Sequence, residues 1–179
     1  FLSPLTNYRT DQYGGSLENR MRALREALQL VREKVGDKLL IGFRISADHM
    51  VKGGLTKEES AEVIRILKQE GILDFVSIIV GSYYSLSAIT PAMGGPIGLA
   101  VEAAKYVRDV ACLPVVVAGR IPTPEHAEEV IAGENADFIA FARPFIADPN
   151  WPNKFLAGKS ETIYPCLYCN QQCVTRLSQ

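Results

Sequence analysis

The sequence predicts an α/β fold of parallel strands and helices, half of a (β/α)8 barrel, on three observations. Four short apolar runs rich in β-branched and aromatic residues are spread along the chain, amphipathic helical stretches alternate with them, and no G-x-G-x-x-G follows the first run. Strands that alternate with helices imply βαβ units and a parallel sheet. The missing glycine fingerprint counts against the competing architecture, a doubly wound dinucleotide fold. A whole barrel takes about 250 residues and eight strands, whereas this chain has 179 residues and four candidate strands. An open four-strand half would leave an apolar edge and an unfilled interior, so the chain is expected to be a fragment or one half of an assembled barrel.

The four runs are Leu39–Ile45, Asp74–Val80, Pro114–Ala118 and Asp137–Ala142. Each reads as a buried strand, because its apolar residues are near-continuous rather than alternating. Before the first run, Leu17, Met21, Leu24, Leu28, Val31 and Val35 recur at helical steps and mark one face. Thr56 with Glu59 is a capping box that opens a second helix, closed near Gly71. Ala100, Ala103, Ala104, Val107 and Ala111 mark a third. Thr123–Pro124 pairs an N-cap with proline at the first helical position and opens a fourth. Gly14–Gly15 marks a turn with Ser16 as N-cap, so the opening segment reads as a loop feeding a helix, with no evident nucleophile–base pair.

Composition narrows the function classes. Hydrophobic residues make up 47% and charged residues 22%, which allows a sizeable core and argues against disorder. Lys and Arg number 19 against 20 Asp and Glu, a formal net charge of −1. That balance argues against a nucleic-acid clamp. No apolar run approaches the roughly 18 residues of a membrane span. No signal peptide is visible, and the expected compartment is the cytoplasm. Four Cys are present. Three crowd into 166–173, which is no disulfide framework.

The third and fourth runs end alike, in Ala118-Gly119-Arg120 and Ala142-Arg143. A small residue lets a ligand approach the backbone, and the adjacent Arg offers a fork suited to phosphate. At the last two strands of a barrel this is where phosphate commonly binds. The alternative is a pair of surface arginines capping neighbouring acids. Arg44 stands inside an apolar strand, where a charge is costly unless paired. It needs an anion, either a carboxylate such as Asp48 or a ligand. Cys166, Cys169 and Cys173 form C-x2-C-x3-C. Thiolates at this spacing can hold one soft metal centre, iron–sulfur or zinc, and spacing does not choose between them. Cys112, between a helix and a strand, reads as a buried small hydrophobe.

Together, the opening Phe1-Leu2-Ser3-Pro4 through Asp11-Gln12-Tyr13-Gly14-Gly15-Ser16-Leu17-Glu18-Asn19-Arg20, the Arg44 strand, the Ala118-Gly119-Arg120 and Ala142-Arg143-Pro144 turns and the Pro165–Cys173 tail resemble the old yellow enzyme, or NADH:flavin oxidoreductase, family. The tail resembles its iron–sulfur branch, which contains 2,4-dienoyl-CoA reductase and trimethylamine dehydrogenase. The resemblance implies an FMN-dependent oxidoreductase, an enoyl or dienoyl reductase first and an amine or betaine dehydrogenase or demethylase second. It implies that residues 1–158 are the C-terminal half of the FMN barrel and 159–179 a linker and the start of an iron–sulfur segment. Arg44 would face the flavin's pyrimidine edge, and Gly119, Arg120, Ala142 and Arg143 the FMN phosphate. Cys166, Cys169 and Cys173 would hold three corners of a 4Fe–4S cluster. Ser82 stands where the amine enzymes carry an Asp, which disfavours a tertiary amine. Tyr83 falls about where dienoyl reductases place a His and is a candidate proton donor. The main proton donor is expected upstream of Phe1. The implied partners are a small-molecule substrate, an N-terminal half-barrel and a C-terminal reductase portion using NAD(P)H and FAD, with no nucleic acid or membrane. The chain alone is expected to be inactive. Two readings of other classes stand beside this one: a phosphate-sugar barrel enzyme without flavin and a zinc-binding non-catalytic module.

Overall fold

The computed structural model describes residues 1–174. The last five positions of the expected 159–179 segment lie outside the described residues.

The chain opens in a clasp of turns. Asn7 donates to the carbonyls of Phe1 and Tyr13, both at 2.7 Å. Gly14 is required here, since a Cβ would sit 2.1 Å from the Arg9 carbonyl oxygen. Ser16 caps α1 (Leu17–Val35), its hydroxyl accepting from the Asn19 N–H. Met21 and Leu28 of the expected apolar face are buried, but Val31 is exposed near the helix end. After a 3-10 turn at Gly36–Lys38 come β1 (Gly42–Asp48), α2 (Lys57–Gln69), β2 (Phe75–Val80), α3 (Leu86–Ile89), α4 (Val101–Ala111), β3 (Val115–Val117), α5 (Pro124–Ala132), β4 (Phe138–Ile139), α6 (Arg143–Ala147) and α7 (Trp151–Leu156). Thr56 and Thr123 cap α2 and α5 as their sequences predict. None of the three short helices α3, α6 and α7 is signalled by apolar periodicity, because each is too short to show it.

The four strands are all parallel, and their order in the sheet is β1-β2-β3-β4. Sequential order without reversal has no switch point, which removes the doubly wound alternative. This is a four-stranded part of a (β/α)8 barrel. The strands differ from their sequence limits at both ends. Leu39 and Leu40 are exposed and precede β1, because the 3-10 turn leaves the chain outside the ladder. β4 covers only two residues, since its partner β3 has three.

Helices cover one face of the sheet only. Ile45, Ala47, Val76, Ile78, Val115 and Val117 point into a core with Val63, Ile64 and Leu67 of α2 and Ala104 and Val107 of α4. The other face carries one register row, Arg44, Ser77, Val116 and Phe138. Arg44 and Phe138 in this row are exposed. The near-continuous apolar runs therefore do not mean burial on both faces here; they record a second face that a closed barrel fills with side chains. No helix among the described residues is long and apolar enough to cross a membrane.

Candidate functional site

The site lies at the C-terminal ends of the strands. Arg44, Gly119, Arg120, Ala142 and Arg143, nominated from three separate places in the sequence, all line one cavity of about 290 Å³. Sequential strand order produces this convergence by making neighbours of the strand ends.

Arg44 is exposed rather than buried, and its Nε donates to Ser77 Oγ at 3.2 Å. Among the described residues it has no carboxylate partner, and Asp48 instead accepts from the Met50 N–H. Within this four-stranded part the strand face that carries Arg44 is uncovered. Gly119 has φ of 153°, and a Cβ there would lie 3.3 Å from the Ala100 Cβ. Arg120 donates through Nη2 to the Met93 carbonyl, while its Nε is buried with no partner among the described residues. Arg143 donates through Nη1 to the Pro91 carbonyl and to Asn170 Oδ1, both at 2.8 Å. Among the described residues neither arginine pairs with an acid: Arg120 is held by a carbonyl and a ring, Arg143 by a carbonyl, an amide and the same ring. The ring is Tyr168, which lies 5.1 Å from the Arg120 guanidinium and 4.6 Å from that of Arg143. Burial pushes the Tyr168 phenol pKa up, against the pull of the two arginines. Tyr168 and Asn170 are marked in the sequence only as an aromatic and an amide inside a cysteine run.

Comparison with known proteins decides the family. The sequence profile of the NADH:flavin oxidoreductase / NADH oxidase family matches residues 1–161. The chain belongs to this family. It is 39% identical over 174 residues to the NADH oxidase of Thermoanaerobacter brockii, covering 97% of this chain and 27% of that protein. The solved structure of a 2-naphthoyl-CoA reductase complex superposes with a TM-score of 0.87 at 36% identity, over 95% of this chain and 26% of that one. Histamine dehydrogenase from Rhizobium sp. 4-9 gives 0.81 at 34% identity, over 94% and 24%. The chain thus spans about a quarter of the length of these relatives.

Within this oxidoreductase family the remaining candidates sit as follows. Cys166 and Cys173 are half-buried and Cys169 is exposed, all with free thiols. Cys166 Sγ accepts from the Tyr168 N–H at 3.4 Å, and Cys173 lines the arginine cavity. Among the described residues no three His, Cys, Asp or Glu side chains are gathered so as to hold a metal ion. The thiols are suitable metal donors by chemistry. Cys112 is exposed, not buried, because it takes the left-handed C-cap position of α4. Tyr83 is 89% exposed on the loop after β2 and lies outside the residues lining the arginine cavity. That loop is pinned by Ser85, whose hydroxyl donates to the His49 carbonyl at 2.6 Å. Burial pushes the His49 pKa down, opposed by Asp48.

Proposed function

We propose that the longer protein to which this chain belongs is an FMN-dependent oxidoreductase that takes electrons from NAD(P)H and reduces an enoyl- or dienoyl-type substrate. One observation carries the reading: three arginines and two small residues, on β1 and just after β3 and β4, line a single cavity. Their donor set suits a mononucleotide. Arg120 has a buried, unpartnered Nε among the described residues, and a buried donor without an acceptor is costly. A phosphate oxygen would supply that acceptor. Gly119, Arg120, Ala142 and Arg143 would hold the phosphate and Arg44 the pyrimidine edge. Bound there, FMN would supply hydride exchange with the organic substrate. Among the described residues Arg44 has no carboxylate partner, so its cation would favour negative charge on a group lying against it.

The reductive direction is supported by the loop after β2. Residues 82–99 contain no charged side chain. Ser82, in particular, offers no carboxylate to an ammonium group. Tyr83 is proposed as a hydrogen-bond or proton donor to the substrate from this loop. Cys166, Cys169 and Cys173 are proposed as three thiolate ligands of an iron–sulfur cluster, on their spacing. Nothing in the flavin-site reading depends on them.

The test is anaerobic titration of the purified full-length protein. FMN reduced by NAD(P)H should be reoxidised by an enoyl- or dienoyl-CoA. Reduction of the flavin by a tertiary amine, with no reoxidation by the unsaturated thioester, would favour the amine dehydrogenase reading instead. Zinc without iron or sulfide after anaerobic purification would sink the cluster.

A further inference from the structure

The cysteine segment does more at the cavity than carry thiols. Tyr168, between Cys166 and Cys169, has φ of 54°, and Asn170 has φ of 58°, both in the left-handed region. A bulky residue such as Tyr168 is held there only when its surroundings demand it, whereas asparagine tolerates the conformation. The surroundings are the two cavity arginines. Tyr168 is only 5% exposed, and its ring meets both guanidinium groups, at 5.1 and 4.6 Å. Its hydroxyl donates to the Ile121 carbonyl at 3.4 Å, a weak bond at that length. Asn170 accepts from Arg143 at 2.8 Å and donates to the Thr90 carbonyl at 2.9 Å. The ring attracts both cations through its face. A guanidinium whose face is covered keeps N–H donors on its edge. An arginine already ordered in this way loses less freedom when an anion binds.

We propose that Tyr168 and Asn170 are positioning residues that clamp Arg120 and Arg143 for the terminal phosphate of the flavin, so that the cysteine segment governs phosphate affinity. The proposal rests on the FMN reading above. It predicts a selective effect. A flavin with its phosphate should sense the clamp, and a flavin without one should not.

The experiment uses the full-length protein stripped of flavin and titrated by fluorescence quenching with FMN and, separately, with riboflavin, which lacks the phosphate. Tyr168→Ala should raise the Kd for FMN about tenfold, equivalent to about 1.4 kcal/mol, and leave riboflavin affinity within about twofold. Tyr168→Phe should bind FMN like the wild type, because the ring rather than the hydroxyl makes the contact. Tyr168→Leu fills the space without an aromatic face and serves where the alanine variant does not fold; it too should lose FMN selectively. Unchanged FMN affinity in the alanine or leucine variant overturns the clamp, as does an equal loss of FMN and riboflavin. A wild-type protein that takes up neither flavin overturns the flavin reading, and the clamp with it.

Discussion

Arg20 should be the residue that holds the opening segment in place, and removing it should loosen that segment without touching the sheet. Its side chain is buried in α1 and reaches in three directions. Nε donates to the Gly15 carbonyl at 3.2 Å, Nη1 to the Leu2 carbonyl, and Nη2 to Glu59 on α2 at 2.5 Å. Hydrogen bonds from a charged donor contribute roughly 1.5–3 kcal/mol each. The Glu59 side chain is 30% exposed, so its share is discounted for solvent screening. Arg20→Met keeps much of the apolar stem but leaves the Leu2 and Gly15 carbonyls without this donor. Allowing for non-additivity, the expected loss is about 3 kcal/mol of local stability.

Amide hydrogen exchange in the full-length protein measures this without requiring two-state unfolding. The Asn7 N–H bonds to the Ser3 carbonyl and the Gly14 N–H to that of Asp11. In Arg20→Met both should exchange roughly a hundredfold faster, the factor that about 3 kcal/mol implies. The Val76 N–H, bonded to the Pro114 carbonyl inside the sheet, is the control and should not change. Acceleration below about fivefold at Asn7 and Gly14, or equal acceleration at Val76, would refute the reasoning; the first would mean that the clasp does not depend on Arg20, the second that Arg20 supports the whole fold.

Two further outcomes follow from the geometry. Gly119→Val places a branched side chain at φ of 153° and against Ala100, with backbone strain of roughly 1–3 kcal/mol; FMN affinity of the full-length protein should fall at least about tenfold by fluorescence titration, and wild-type affinity would show that the turn can open. The Asp148 carboxyl is held below the usual carboxylate range first by the hydrogen bond from Lys154, then by the Tyr164 and Asn150 N–H groups. A depressed folded pKa means stability present above the ordinary value near about 4 and lost as pH falls through the lower folded value. The exchange protection factor of the Tyr164 amide should therefore drop below about pH 4, and Asp148→Asn should lower it already at pH 7 and abolish the acid step.

What the sequence makes legible here is what is encoded locally. The caps at Ser16, Thr56 and Thr123 are each a side-chain oxygen three residues from the N–H it meets, so they can be read without the fold. Strand existence is legible for the same reason, but strand limits are not. Leu39 and Leu40 look like strand residues and are exposed before β1, because the ladder ends where β2 stops pairing, and that is a property of the partner. Arg120 and Arg143 are legible as a small residue followed by a cation at a strand end. Their holders are not. Tyr168 reaches Ile121 across 47 positions, and Asn170 reaches Thr90 across 80. Cys112 is exposed where its apolar character predicts burial, because its position depends on a left-handed turn rather than on its polarity.

The distinction bears on which residues a functional reading should trust. A residue placed by its own strand end, such as Arg44 or Gly119, can be nominated from sequence because the parallel order β1-β2-β3-β4 then sets its neighbours. A residue whose role comes from a distant segment folding over the cavity gives no periodic or spacing signal. Tyr168 is of the second kind: its neighbours in sequence are thiols, while its contacts in space are guanidinium groups. The thiol spacing is what the sequence shows, and the contacts with Arg120 and Arg143 are what only the fold shows. Tyr168 and Asn170 make these contacts without using a thiol, since Cys166 lies two residues before the ring and Cys169 stands between ring and amide.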